Sequence, residues 1–473
     1  MNIQCVRGLG TAILLFLMTS LIHAESDESW REQFAYTTGM QAYMYGYPGL
    51  KNATMRSDWI NNESSPLASK GNTYTHYRKL VDPSYQAGTS MNRDTLYSLA
   101  FSYVGKEPLV FTLPANPENR YITIEFNEWY TDALGYMSQR TVGQKAAAYL
   151  VHQSGWEGEI PKGIDGVLES PTPWVLTVGR TYTSNSPDDL KIANKIQDGY
   201  KIYPLSEWGG KKPKEATPID KVLQAFPADD PLGRMKTLSA AMKENPPPQR
   251  DEALVKQFGL VGIGPMAFTE IDDLDEPTRR GLSRAAKDGQ EYLQVVSEAM
   301  GSITNQNKTV NGWKYNPNNW CRMAESGDFL GRAATQSLSG GIENCVEEAV
   351  KLRIFRDKNG NNLSGDKRYV LKFEKNQIPK VDAFWSITLY DNSFNLALNA
   401  ADKYAIRDID PNIKYGQDGS LTIYLQREPV TEPGVNWLPT PEGVDFNLFF
   451  RAYLPDQAFI DQTYVPPAIE LVK

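Results

Sequence analysis

The segment from Phe384 to Tyr453 constrains this chain more than any other. It contains Phe384-Trp385-Ser386-Ile387-Thr388-Leu389-Tyr390-Asp391, then Asp418-Gly419-Ser420-Leu421-Thr422-Ile423-Tyr424-Leu425-Gln426, then Phe446-Asn447-Leu448-Phe449-Phe450-Arg451-Ala452-Tyr453. Apolar and polar residues tend to alternate with a period of two, the pattern of a strand with one buried face. Leu421, Ile423 and Leu425 point one way and Thr422, Tyr424 and Gln426 the other. Turn residues separate the runs, including Asp418-Gly419 and Pro439-Thr440-Pro441-Glu442-Gly443, while Asn436-Trp437-Leu438-Pro439 is expected in a loop. The expectation is an antiparallel sandwich.

A second set of strands precedes it: Leu109–Leu113, Arg120–Asn127, Trp174–Arg180 and the stretch beginning Met91-Asn92-Arg93-Asp94. With 473 residues, the chain exceeds the size at which one core stops growing, roughly 250–300 residues. The fold class expected is mainly β with a helical layer (α+β), built on two β-sandwich domains. Its parts are a leader over 1–24, a helical segment over 25–60, a first sandwich over 61–210, a helical insertion or linker over 211–310 and a second sandwich over 311–473. Gly46-Tyr47-Pro48-Gly49 is expected to end the first helix, and another helix is expected from Pro277 to Ala299. The order Leu109–Leu113 then Arg120–Glu125 is matched by Tyr369–Phe373 then Phe384–Leu389. That is an internal repeat, or two unrelated hairpins.

Arg7, the apolar run Ala12–Met18 and Ser20-Leu21-Ile22-His23-Ala24 form a secretory leader with cleavage expected after Ala24. The apolar run is shorter than the roughly 20 residues a spanning helix needs. The expected location is periplasmic or secreted, with no membrane attachment after cleavage. Cys321 and Cys345 remain in the mature chain, and an oxidising compartment invites a disulfide between them, the alternative being two buried thiols. A net charge of −8 without a Lys/Arg block argues against nucleic acid as a partner.

Only His76 and His152 remain beyond the leader, too few for a three-histidine metal site, and no Gly-x-Ser-x-Gly elbow is present. No metal or cofactor is expected. Gly262-Ile263-Gly264-Pro265-Met266-Ala267 has dinucleotide-loop spacing without a βαβ context and fits a packing turn. Asp357-Lys358-Asn359-Gly360-Asn361 lacks the spacing of a calcium loop and fits a hairpin turn joining Leu352–Phe355 to Tyr369–Leu371.

Polar and aromatic side chains concentrate at strand ends. Asn92, Arg93, Asp94 and Tyr97 lie together, and Glu125, Trp129, Tyr130, Asp132, Tyr136 and Arg140 follow. One interpretation is a structural network that pins loops. The other is a ligand cleft of the N-terminal sandwich, in which rings stack on a sugar or similar small polar ligand and carboxylates bind hydroxyls. Asp94 and Glu125, with His76, are the candidate acid–base groups for a metal-independent hydrolase or lyase. A third alternative is a structural or assembly protein that forms a homo-oligomer.

The N-terminal half, with Gly46-Tyr47-Pro48, Asn92-Arg93-Asp94-Thr95-Leu96-Tyr97-Ser98 and Ser206 after Pro204-Leu205, resembles the family catalogued as domain of unknown function 1254. The C-terminal half, with Phe384–Asp391, Asp418-Gly419-Ser420-Leu421, Asn436-Trp437-Leu438-Pro439 and Arg451-Ala452-Tyr453, resembles domain of unknown function 1214. The resemblance implies two sandwiches of partly jelly-roll character with helical insertions, often in exported bacterial proteins. It supplies no activity. Between Leu330 and Val350 the sequence departs from the family pattern, and Cys345 is unexpected there.

Overall fold

A computed structural model describes residues 6–85, 89–298, 308–338 and 342–472. The chain divides into two units, one of Met1–Thr54 with Leu223–Leu293, the other of Met55–Val222 with Gln294–Lys473. The N-terminal helical segment and much of the central insertion therefore belong to one helical unit.

The first helix, Val6–Asn61, belongs to that unit as far as Thr54 and runs through Pro48 instead of ending there. An interior proline removes one backbone hydrogen bond and costs about 3 kcal/mol. Packing opposes that cost. The Tyr45 hydroxyl donates to Asp251 at 2.8 Å, and its ring lies 5.7 Å from that of Phe258. Gly46 allows the helix to approach Gly233–Glu244 closely, since a Cβ at Gly46 would sit 2.2 Å from Leu238 Cδ1. The helix expected over 277–299 is Glu276–Glu298. Residues 1–5 of the expected leader lie outside the described residues. No described helix is long and apolar enough to cross a membrane.

The second unit holds four sheets. In the first sandwich the outer sheet is β7 (Gly166–Ser170), β6 (Ala147–Gln153), β3 (Leu109–Leu113) and β9 (Lys201–Pro204). Its inner sheet is β1 (Thr75–His76), β2 (Thr95–Tyr103), β8 (Trp174–Tyr182), β4 (Ile122–Asn127) and β5 (Ala133–Ser138). In the second sandwich the inner sheet is β10 (Thr309–Val310), β11 (Trp313–Tyr315), β12 (Ala349–Ile354), β18 (Phe446–Pro455), β14 (Val381–Asp391) and β15 (Ala405–Arg407). The outer one is β17 (Val435–Leu438), β16 (Leu421–Leu425), β13 (Tyr369–Phe373) and β19 (Ile469–Leu471).

These orders repeat. The sheet β1-β2-β8-β4-β5 recurs as β11-β12-β18-β14-β15, and β7-β6-β3-β9 recurs as β17-β16-β13-β19. The single parallel pair of each sandwich falls at the same place, β6 with β7 and β16 with β17. The repeat noted in the sequence, β3 to β4 against β13 to β14, is part of this pattern.

Two sequence expectations change. Asn436 and Trp437 belong to β17, which runs parallel to β16, so the sandwich is mixed and not wholly antiparallel. Side-chain donors hold it there: Asn436 Nδ2 bonds the carbonyls of Lys414 and Thr422, and the Trp437 indole bonds that of Gln426. Asn359-Gly360 does turn the chain, with Gly360 at φ 85° and Asp357 Oδ1 accepting from the amides of Asn359 and Asn361. The strands it separates do not form a hairpin, because β12 pairs with β11 and β18 while β13 pairs with β16 and β19.

Burial explains where the period-two pattern holds. In β16, Leu421, Ile423 and Leu425 are buried and Thr422 and Tyr424 are half-buried. In β18 every residue is buried, as is Phe384–Tyr390 of β14. One face of these strands enters the second core through Trp385, Ile387, Leu448 and Phe450. The other meets the first sandwich, where Tyr121 packs on Phe384 and Tyr453 with ring centroids 5.8 and 5.0 Å away. The two inner sheets are therefore stacked, and their facing sides carry the polar residues.

Candidate functional site

The interface between the inner sheets is not filled. It encloses a cavity of about 130 Å³ whose wall includes Asn92, Tyr97, Arg180, Lys351, Arg451 and Tyr453. Its ionisable lining comprises the cations Arg180, Lys351 and Arg451 and one carboxylate, Glu343. Rings of Trp59, Tyr315 and Trp320 complete much of the wall.

Arg180 stands near the end of β8, the middle strand of its sheet, paired in register with Tyr97 and Thr123. Its guanidinium donates to Glu125 Oε2 at 2.7 Å and to Asn344 Oδ1 at 2.9 Å, and the ion pair is buried. Glu125 Oε1 accepts from the Tyr136 hydroxyl at 3.0 Å, and that hydroxyl accepts the Cys345 amide at 2.7 Å. Burial pushes the Glu125 pKa up, with Arg180 opposing it through its charge and hydrogen bond.

Arg451 stands at the centre of β18, in register with Lys351 and Ser386. It donates to Thr388 Oγ1 at 3.2 Å and to the Ser90 carbonyl and the Tyr390 hydroxyl at 2.8 Å each. All three acceptors are neutral. The carboxylate of Asp94 lies close by, with Oδ2 accepting from Ser386 at 2.7 Å and Tyr453 at 2.8 Å. Asn92 organises the turn that carries Asp94, its side-chain oxygen accepting the amides of Asp94 and Thr95 while its Nδ2 donates to the Tyr97 hydroxyl.

Lys351 donates to both oxygens of Glu343, at 2.7 and 2.9 Å, and its ammonium lies 5.4 Å from the rings of Trp320 and Phe449. Burial pushes its pKa down to about 8. Cys321 and Cys345 are joined in a disulfide. The bridge fastens the segments bearing Trp320 and Glu343 beside β5, where the Ala133 amide donates to the Cys321 carbonyl at 2.8 Å.

Of the residues singled out in the sequence, Asn92 and Tyr97 line this cavity, Asp94 and Glu125 stand behind it as partners of Tyr453 and Arg180, and Tyr136 bonds Glu125 one step further back. The others lie elsewhere. Arg93 donates to the Val81 carbonyl and covers the Tyr404 ring at 5.5 Å. Trp129 is fully buried with the Arg56 guanidinium 4.6 Å from its ring. Tyr130 lies beneath Arg332, and Asp132 sits beside Glu128, whose pKa is raised by burial and then by the Asp132 charge. Arg140 donates to Glu348 at 2.7 Å.

His76 lines a separate cleft of about 840 Å³, bonds Ser98 through Nδ1 at 2.8 Å and stacks on Tyr74. Burial lowers its pKa to about 4, so the ring is neutral at pH 7. Asp94 and Glu125 do not line that cleft. Among the described residues no group of three or more His, Cys, Asp or Glu side chains is placed to hold a metal ion.

Sequence reasoning passed over Arg180, Lys351 and Glu343. A signal existed only for Arg451, which interrupts the run Leu448-Phe449-Phe450 before Ala452-Tyr453 in a strand buried along its whole length, whereas Arg180 stands between Gly179 and Thr181 near the end of its strand.

Glu348 gives this interface a pH dependence. Its Oε1 accepts from Ser138 at 2.9 Å and Arg140 at 2.7 Å, its Oε2 has no partner, and burial pushes its pKa from 4.5 to about 7. The native state then keeps a proton that the unfolded chain releases near pH 4.5. Its contribution, about 3 kcal/mol at most, is fully present below pH 4.5 and is lost as pH rises through 7. Urea denaturation at pH 5 and pH 8 should show this loss, and Glu348→Gln should flatten it. An unchanged pH profile in that variant would refute the assignment.

Residues 71–204 match the family described as protein of unknown function DUF1254, and residues 348–457 match protein of unknown function DUF1214. No curated protein matches the chain. A crystal structure of a Vibrio parahaemolyticus protein superposes with a TM-score of 0.67 at 21% identity, covering 93% of this chain and 100% of its own. A crystal structure of an uncharacterised Burkholderia cenocepacia protein gives a TM-score of 0.45 at 14% identity, covering 96% and 98%. The chain thus belongs to the tandem family in which a DUF1254 domain precedes a DUF1214 domain.

Proposed function

We propose that this is an exported binding protein for a small polar ligand carrying an anionic group, taken into the cavity between the inner sheets. The observation that carries the proposal is Arg451, a buried guanidinium bonded only to neutral acceptors in a cavity with an excess of cationic lining. Asp94 acts on this guanidinium through its charge without bonding it, and a ligand anion would supply the direct partner that a buried charge favours. The cationic lining favours an acid over a neutral sugar, and the aromatic wall gives it a surface to lie on. Export is supported by the leader-like residues 1–24 and by the joined cysteines, which suit an oxidising compartment.

A metal-independent hydrolase or lyase using Asp94 or Glu125 with His76 has less support, because His76 lines another cleft and Glu125 is committed to Arg180.

A thermal-shift screen of small carboxylates against neutral polyols tests the proposal. A ligand at one hundred times its Kd stabilises the fold by about 2.7 kcal/mol, a readily measured shift. Stabilisation by acids alone is expected. Stabilisation by polyols alone, or by nothing in the screen, would overturn the proposal.

A further inference from the structure

The repeated topology allows the two central arginines to be compared position by position. Arg180 of β8 lies opposite Thr123 of β4, and Arg451 of β18 lies opposite Ser386 of β14. Two residues further along the partner strand, on the same face, come Glu125 and Thr388. Each of these contacts Nη1 of its arginine, Glu125 Oε2 at 2.7 Å and Thr388 Oγ1 at 3.2 Å. The same position therefore holds a carboxylate in the first sandwich and a hydroxyl in the second. Arg180 is neutralised within its own sheet. Arg451 is not, and among the described residues no carboxylate bonds it directly.

The geometry points to Arg451 as the residue that selects the ligand, and to a small monocarboxylate as its class, with Thr388 as the position that keeps the guanidinium available. This rests on the anion-binding function proposed above and names the charge and the residue responsible. The other two cations add little net charge, since Arg180 is held by Glu125 and Lys351 is held by Glu343 through both oxygens. Asp94 acts on Arg451 only through its charge, without bonding it, so one guanidinium lacking a carboxylate partner matches one ligand carboxylate. A cavity of about 130 Å³ suits an acid with a single small ring, which Tyr97, Trp320 and Tyr453 can flank.

Benzoate and benzamide, nearly equal in shape and different in charge, are the probes for titration calorimetry on the full chain at pH 7. Wild type should bind benzoate at least about tenfold more tightly than benzamide. Thr388→Glu, which installs the carboxylate that the first sandwich carries at this position, should weaken benzoate at least about tenfold more than Thr388→Gln, which adds similar bulk without charge. Equal affinity of wild type for the two probes overturns the selection by charge while leaving a ligand site. Unchanged benzoate affinity in Thr388→Glu overturns the assignment to Arg451. Binding of neither probe overturns both this inference and the function it rests on. Should Thr388→Glu fail to fold, the acid–amide comparison in wild type still decides.

Discussion

Glu125→Gln is expected to destabilise the two-sandwich unit by about 3–5 kcal/mol, because it removes one partner of a buried ion pair and leaves the other charged. Glu125 has no exposed surface and Arg180 has 5% of its side chain exposed, so the pair is largely shielded from bulk water. The glutamine amide still accepts one hydrogen bond and does not compensate the charge. The change also disturbs the hydroxyl of Tyr136, and through it the Cys345 amide. Urea denaturation followed by tryptophan fluorescence reads the loss. Glu125→Met combined with Arg180→Met should recover much of it, since an apolar replacement of both partners removes the stranded charge. A single variant as stable as wild type would mean that Arg180 is satisfied without Glu125.

Reduction of the Cys321–Cys345 disulfide is expected to cost about 3–4 kcal/mol, the loop-closure term for a separation of 24 residues. The segments it joins carry Trp320 on one side and Glu343 and Asn344 on the other, all of them cavity lining. Cys345→Ser should therefore lower stability and weaken any cavity ligand together. Denaturation with and without reductant measures the first effect, and titration of the variant the second. Identical midpoints in both redox states would show that the bridge adds nothing.

Much of the architecture could be read from residue order because local rules decide it. The alternation Leu421, Ile423, Leu425 survives as a half-exposed outer strand. Phe446–Tyr453 was legible as a strand, though not its burial on both sides, because the second covering layer comes from residues hundreds of positions away. Pro48 misled for a similar reason. A local breaker was outweighed by contacts to Leu238, Asp251 and Phe258 that no window around it contains.

The site was legible only in fragments. Asn92 and Tyr97 announced themselves through a polar, aromatic cluster. Arg180 and Lys351 did not, because their role depends on which face of a strand meets the other sandwich. The bond from Tyr453 to Asp94 spans 359 positions, and nothing near either residue signals it.

The place of β18 in its sheet has a consequence for how the molecule assembles. This strand ends at Pro455 and lies between β12 and β14, both made well before it. Until it inserts, those neighbours have an unfilled gap and Asp94 lacks its Tyr453 partner. Closing so long a loop is slow compared with local pairing. The cavity between the inner sheets can therefore close only after β18 has inserted between β12 and β14.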